Sequence, residues 1–194
     1  MTRRSRAERT LRLAGEVAGA LKRESLPSAV IGAIAAAVHG YPRSTEDFDL
    51  ATFAEPAALA RVARGLVKNR RTSEFILPDA DDPLGGVLNV EEPATDLVQV
   101  VNFYNPLGRG SGSLAHEAID AADVELGKGS GLRVVRLQHL IALKLYGGGA
   151  DNAQDIRQLL ARNPNADLIE IRAVCERHGL LPALEGLLAE SGEA

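Results

Sequence analysis

The sequence predicts an α+β fold: a mixed β-sheet flanked by helices, with a C-terminal helical extension. Three observations predict it. Short strand-like runs and Ala-rich or amphipathic helical segments alternate as β-α-β-α over residues 29–68. Three further strand-like runs follow, joined by connections short enough for antiparallel neighbours. From Leu137 onward the apolar spacing is helical. At 194 residues, 45% hydrophobic and 25% charged, the composition is ordinary for one soluble domain.

The elements can be justified in order. Leu11, Ala14, Val17, Ala18 and Leu21 fall at helical spacing and predict an amphipathic helix over 5–24, stopped near Ser25 to Pro27. Its first turn carries Arg6 and Arg9 behind Arg3 and Arg4, either a solvated terminus or a phosphate-backbone contact. Ala29-Val30-Ile31 reads as a strand, Gly32 as a turn, and Ala33 to His39 as a helix stopped by Gly40-Tyr41-Pro42. Asp47 to Ala51 alternates as a strand, and a helix from Pro56 to Lys68 follows with proline in its first turn. Strands are expected at Thr72 to Leu77, Gly86 to Val90, Asp96 to Phe103 and Leu132 to Val135. Asn105 to Ser113, with Gly108, Gly110 and Gly112, reads as a flexible loop, and Gly127-Lys128-Gly129-Ser130-Gly131 as a turn rather than a Walker-type phosphate loop. Helices are expected at Leu137 to Tyr146, Asp151 to Arg162, Asp167 to His178 and Leu181 to Ala189, with Asp151 the natural N-cap of the second. The organisation that results is an N-terminal helix (1–28), a core (29–136) and a helical region packing on it (137–194).

Composition excludes several classes. One cysteine, Cys175, rules out a disulfide framework and a Cys-rich zinc site, and the four histidines show no metal-ligand spacing. Any metal must be held by oxygen. No run reaches the roughly 18 apolar residues of a membrane helix, and no apolar stretch follows the Arg-rich start, so a cytoplasmic protein off the membrane is expected. A net charge of −4 argues against a uniformly basic duplex binder.

The chemistry concentrates at few positions. Asp47 and Asp49, two apart on a strand, project from one face, where their oxygens can share a cation, while Phe48 points into the core. Gly32 at a strand-to-helix turn leaves the N–H groups of Gly32 and Ala33 free to meet an anion, unless the turn is merely structural. Asp96 opens an apolar strand and needs a partner, met if that strand neighbours Asp49 and the three carboxylates face one divalent cation, or else a place at the surface. Lys144 interrupts the apolar stripe of Leu137, Leu140 and Ile141, and either snorkels to water or meets phosphate oxygens in a cleft. The chain has eighteen arginines and four lysines, which makes a lysine there notable.

Val30 to Ala35, His39 to Leu50 and Leu137 to Leu145 together resemble the nucleotidyltransferase superfamily with the DNA polymerase β-type fold. Within it, the likeness is to bacterial proteins that include the abortive-infection AbiEii toxins and related nucleotidyltransferase toxins, over about Val30 to Leu160. The resemblance implies Asp47, Asp49 and Asp96 as catalytic carboxylates holding Mg²⁺, or Mn²⁺ in its place. It implies Gly32 and Ala33 as the phosphate cradle of the nucleotide, Lys144 as a triphosphate contact, and Arg43 and Thr45 as part of the family's Arg-x-Thr-x-Asp-x-Asp stretch. Asp151 to Ile156 resembles the family's later acidic helix.

The activity so implied is Mg-dependent transfer of a nucleoside monophosphate from an NTP such as ATP to a hydroxyl of tRNA or another RNA, of a protein or of a small molecule. For toxin-like members an antitoxin protein is an implied partner. The family's Gly-Gly or Gly-Ser is Gly32-Ala33 here, and the basic residue ahead of the acidic helix is replaced by Gly147 to Ala150. These departures bear harder on catalysis than on nucleotide binding, and leave as the alternative an inactive nucleotide-binding or protein-interaction module of the same fold.

Overall fold

The computed structural model describes residues 5–80, 84–107, 112–127 and 129–191. Arg3, Arg4, Gly108, Gly110 and Lys128 lie outside the described residues. The chain runs α1 (Arg6–Arg23), β1 (Ser28–Val30), α2 (Gly32–Val38), β2 (Asp47–Thr52), α3 (Pro56–Leu66), β3 (Thr72–Ile76), β4 (Val87–Glu91) and β5 (Leu97–Asn102). Then come α4 (Ser113–Asp120), β6 (Val124–Glu125), β7 (Arg133–Val134), α5 (Leu137–Gly147), α6 (Gly149–Arg162), α7 (Leu168–Arg177) and α8 (Leu181–Ser191). The strands form one mixed sheet in the order β3-β4-β5-β2-β1-β7-β6. As expected, β3, β4 and β5 pair antiparallel. β5 lies parallel to β2, with Asp47 opposite Leu97 and Asp49 opposite Gln99.

Alternation divides the sheet into two unlike faces. Phe48, Leu50, Leu88, Val90, Val98 and Val100 are sealed on one face, against which α1 and α3 pack. Asp47, Asp49, Leu97, Gln99, Val87 and Asn89 alternate with them on the other face and are only half-buried. Helix α1 is fixed at its N-terminus by a reciprocal Ser5–Glu8 capping box. It is held to the β3–β4 hairpin by Arg71, buried, whose guanidinium bridges Glu16 (2.6 Å) and Glu92 (2.7 Å). Arg6 and Arg9 are engaged inside the molecule, by Asp96 and by the carbonyl of Ala94.

Two expectations need correction here. Helix α4 and strand β6 occupy a stretch to which the sequence reading gave no element; Leu114, Ala115, Ala118 and Ile119 are α4's buried stripe. Asp151 is not an N-cap: α6 begins two residues earlier, with Gly148 as N-cap, and Asp151 sits in the first turn, where its charge meets the helix dipole. The cap function predicted for an aspartate does appear at α7, where Asp167 accepts from the N–H groups of Ile169 and Glu170. Among the described residues, no helix is long and apolar enough to cross a membrane.

One carboxylate ties the helices around α5 together. Glu117 of α4 accepts from Arg177 at the end of α7, from His178 (2.8 Å) and from His139 of α5 (3.2 Å). Arg177 first, then the two histidines, hold the Glu117 carboxyl down to about 2. Because that value lies below its ordinary 4.5, the stabilisation is full above that pH and is lost as the pH falls towards 2. Glu117→Gln is expected to cost about 2 kcal/mol at about pH 7, after allowance for partial solvent screening, and almost nothing near pH 2. Urea melts of the variant and the parent across that range measure the difference.

Candidate active site

The site begins with the β1–α2 turn. Gly32 has φ +66°, a conformation that glycine adopts without strain. The space beside it is also taken, because a Cβ at position 32 would collide with Asp49 Oδ2. The N–H of Ile31 donates to the Asp49 carbonyl (3.1 Å), which locks the turn to β2. No side chain caps the first turn of α2. Gly32 is therefore brought against Asp49, with Ala33 the next residue of the turn.

Asp47 and Asp49 project from the half-buried face of β2, two residues apart. The Thr45 hydroxyl donates to Asp47 Oδ1 and so orients that carboxylate. Asp49 has no hydrogen bond or ion pair from its carboxylate among the described residues. Burial, reinforced by the charge of Asp47 and opposed by Arg43 and Lys144, pushes the Asp49 carboxyl up to about 6.

Lys144 neither snorkels to water nor stands free. It is buried on α5, and its ammonium donates to Asp155 Oδ2 at 2.6 Å and reaches Asn152 Oδ1 at 3.5 Å. Arg43 Nε lies 3.2 Å from the same Asp155 oxygen. One buried carboxylate of α6 thus gathers two cations whose fields reach Asp49. The sequence reading did not assign Asp155; the signal was a charged residue in phase with the apolar Ile156, Leu159 and Leu160 of the same helix.

Asp96 is not brought to the pair. Because Asp47 stands opposite Leu97, Asp96 is in phase with Val98 and Val100 and turns to the α1 face. There it pairs with Arg6 (2.5 Å) and Thr10 (3.1 Å). The residue beside Asp49 on β5 is Gln99, whose amide donates to Asn89 (3.0 Å). Among the described residues, no three His, Cys, Asp or Glu side chains gather as a metal site. Two carboxylates with substrate phosphates and water nevertheless suffice for Mg²⁺, and a half-buried, mutually repelling pair is the donor set that a divalent cation relieves.

No protein-family model matches the sequence, and no curated protein matches it. Solved structures do match. The antibiotic-resistance factor ANT(2'')-Ia superposes with a TM-score of 0.53 at 15% identity, covering 92% of this chain and 96% of that one. A nucleotidyltransferase-like protein from Paracoccidioides brasiliensis superposes at 0.50 with 14% identity, covering 93% of each chain. The chain has the nucleotidyltransferase fold. JHP933 from Helicobacter pylori, with a TM-score of 0.50 and 15% identity over 97% of this chain and 79% of its own, shares it. In this nucleotidyltransferase fold, β2 with its two carboxylates lies at the centre of the sheet, flanked by the glycine turn and by the paired cations.

The raised Asp49 carboxyl has a signature in stability. Its folded value of about 6 lies above its ordinary 3.8, so between those values the folded state holds an extra proton. Stability therefore falls as the pH rises through that window, by about 2 kcal/mol. Asp49→Asn should be more stable than the parent by that amount at about pH 7 and nearly equal to it at about pH 4. Denaturant titrations of both proteins at the two pH values test this.

Proposed function

We propose that the protein transfers a nucleoside monophosphate from an NTP to an acceptor hydroxyl at the Asp47–Asp49 pair. The observation that carries this reading is the convergence on one face of a cation-deficient carboxylate pair, a glycine turn and two cations pinned by one buried carboxylate. The fold shared with ANT(2'')-Ia, a protein also solved in complex with adenylyl-2''-tobramycin, agrees with it.

In the proposed reaction, the acceptor oxygen attacks the α-phosphorus, forming one P–O bond as the bond from the α-phosphorus to the α,β-bridging oxygen breaks. Pyrophosphate leaves, and the acceptor proton passes to solvent. Asp47 and Asp49 would hold Mg²⁺, which supplies positive charge against the phosphates. Thr45 fixes the orientation of Asp47, a positioning task. The amides of Gly32 and Ala33 meet phosphate oxygens, with no side chain in the way at position 32. Lys144 and Arg43 present positive charge to the triphosphate, Lys144 as a compact point charge and Arg43 as a planar fork. Asp155 keeps both cations at the site. The toxin-like relationship and an antitoxin partner rest on the sequence resemblance alone.

A second reading, nucleotide binding without transfer, is favoured by one observation. Gln99 stands where a third carboxylate would face Asp49, and Asp96 is committed to Arg6 and Thr10. Incubation with α-labelled NTP, Mg²⁺ and fractionated cell extract separates the two, with label transferred in the first reading and NTP bound without transfer in the second. In the first reading Asp49→Ala abolishes labelling, by at least about 100-fold, while the protein stays folded by circular dichroism. Labelling at the parent rate in that variant would remove the pair from the site.

A further inference from the structure

The half-buried face of the sheet continues sideways from the carboxylate pair. Its register aligns Asp49, Gln99, Asn89 and Glu74 in one row across β2, β5, β4 and β3. The next row, towards the far ends of β2 and β5, is Ala51, Val101, Val87 and Ile76. Among the described residues, the helices that pack closely against β3, β4 and β5 are α1 and α3, on the sealed side. Gln99 and Asn89 are tied to each other by one hydrogen bond, which leaves further amide capacity directed outward. Glu74 and Glu91 are exposed on the same face, in phase with Asn89.

The four strands β2 to β5 carry no lysine or arginine at all. Among the described residues, the cations whose charge acts on Asp49, Arg43 and Lys144, are on Asp155. Arg71, which leads into β3, is spent on Glu16 and Glu92. A polyanion laid on this face would meet carboxylates where it needs Lys or Arg.

We infer that this sheet face is the acceptor platform and that the acceptor is a small, hydroxyl-rich molecule bearing amino groups, not a nucleic acid. This rests on the transferase reading for the word acceptor, but the binding itself does not. Glu74 and Glu91 draw the ammonium groups, the carboxamides of Asn89 and Gln99 bond hydroxyls, and Val87, Val101 and Ile76 take the apolar face of a ring. Charge complementarity thus lies along the line that leads a hydroxyl to Asp49.

The test uses the whole protein with tobramycin as the cationic polyol probe and bulk tRNA as the polyanion probe, by calorimetry at one ionic strength and without nucleotide. MgATP is titrated separately. Tobramycin binding is expected, weakened about 3-fold in Glu74→Gln and about 10-fold in Glu74→Lys, with the loss shrinking as salt is added. Glu74 is exposed on an edge strand, and a thermal melt checks that both variants fold. Asn89→Lys, nearer the pair, should weaken binding at least as much. Absence of tobramycin binding, affinity unchanged in all three variants, or tRNA binding that Glu74→Lys tightens would each overturn the inference. A protein that binds MgATP yet fails these tests keeps the transferase reading and loses the platform. One that binds tobramycin as described but not MgATP keeps the platform and loses the transferase.

Discussion

Two carboxylates on one strand face repel each other, and burial aggravates the repulsion at Asp49, whose carboxyl is driven up to about 6. A chain selected only for stability would place an amide there, because an amide of the same shape has no charge to desolvate. The surroundings do not relieve the strain by direct pairing. Gly32 closes in until no side chain fits between it and Asp49, Thr45 steadies Asp47, and the nearby cations pair elsewhere. Each feature preserves the charge and its access while leaving it without a permanent counter-ion, the state that a site for an incoming divalent cation requires.

The cations depend on this arrangement from the other side. Lys144 is buried, and a charge taken out of water needs a partner. Asp155 supplies it, and by also taking Arg43 it joins three parts of the chain: the loop before β2, α5 and α6. Helix α5 is held in place, because Glu117 clamps His139 to α4 and to the end of α7. The helical region after β7 therefore has a task at the site. It fixes the position of positive charge relative to β2, and α7 and α8 reinforce it through Arg172–Glu185 (2.7 Å).

Period-2 alternation in Asp47-Phe48-Asp49 was enough to place both carboxylates on one face, because strand geometry fixes that relation without any partner. The glycine turn and the helical phase of Lys144 were legible for the same local reason. What failed was register. Whether Asp96 or Gln99 faces Asp49 depends on a one-residue choice in how β5 pairs with β2, and a slip of one residue exchanges the faces. No local pattern states that choice; the Thr10 hydroxyl and Arg6, more than eighty residues away, receive Asp96 instead. Asp155 was hidden likewise, since its partners come from two other segments. Helix α4 was different: its apolar spacing is plain, but the glycine-rich stretch before it reads as a continuing loop.

The register that turns Asp96 away also composes the open face. With Gln99 opposite Asp49 and Asn89 opposite Gln99, the centre of that face is neutral and rich in hydrogen-bonding groups, while its charge is confined to Asp47 and Asp49 at one end and Glu74 and Glu91 towards the other. A third carboxylate in place of Gln99 would add an oxygen for a second metal ion, but it would also make the strip continuously anionic. The amide gives up that oxygen and leaves a surface where hydroxyl groups can be bonded without further charge, between two anionic ends that bound molecules of different kinds can neutralise separately. A metal ion with its phosphates suits the end beside Lys144 and Arg43. An organic cation suits the end at β3, because no cationic side chain of β2 to β5 competes for Glu74 there.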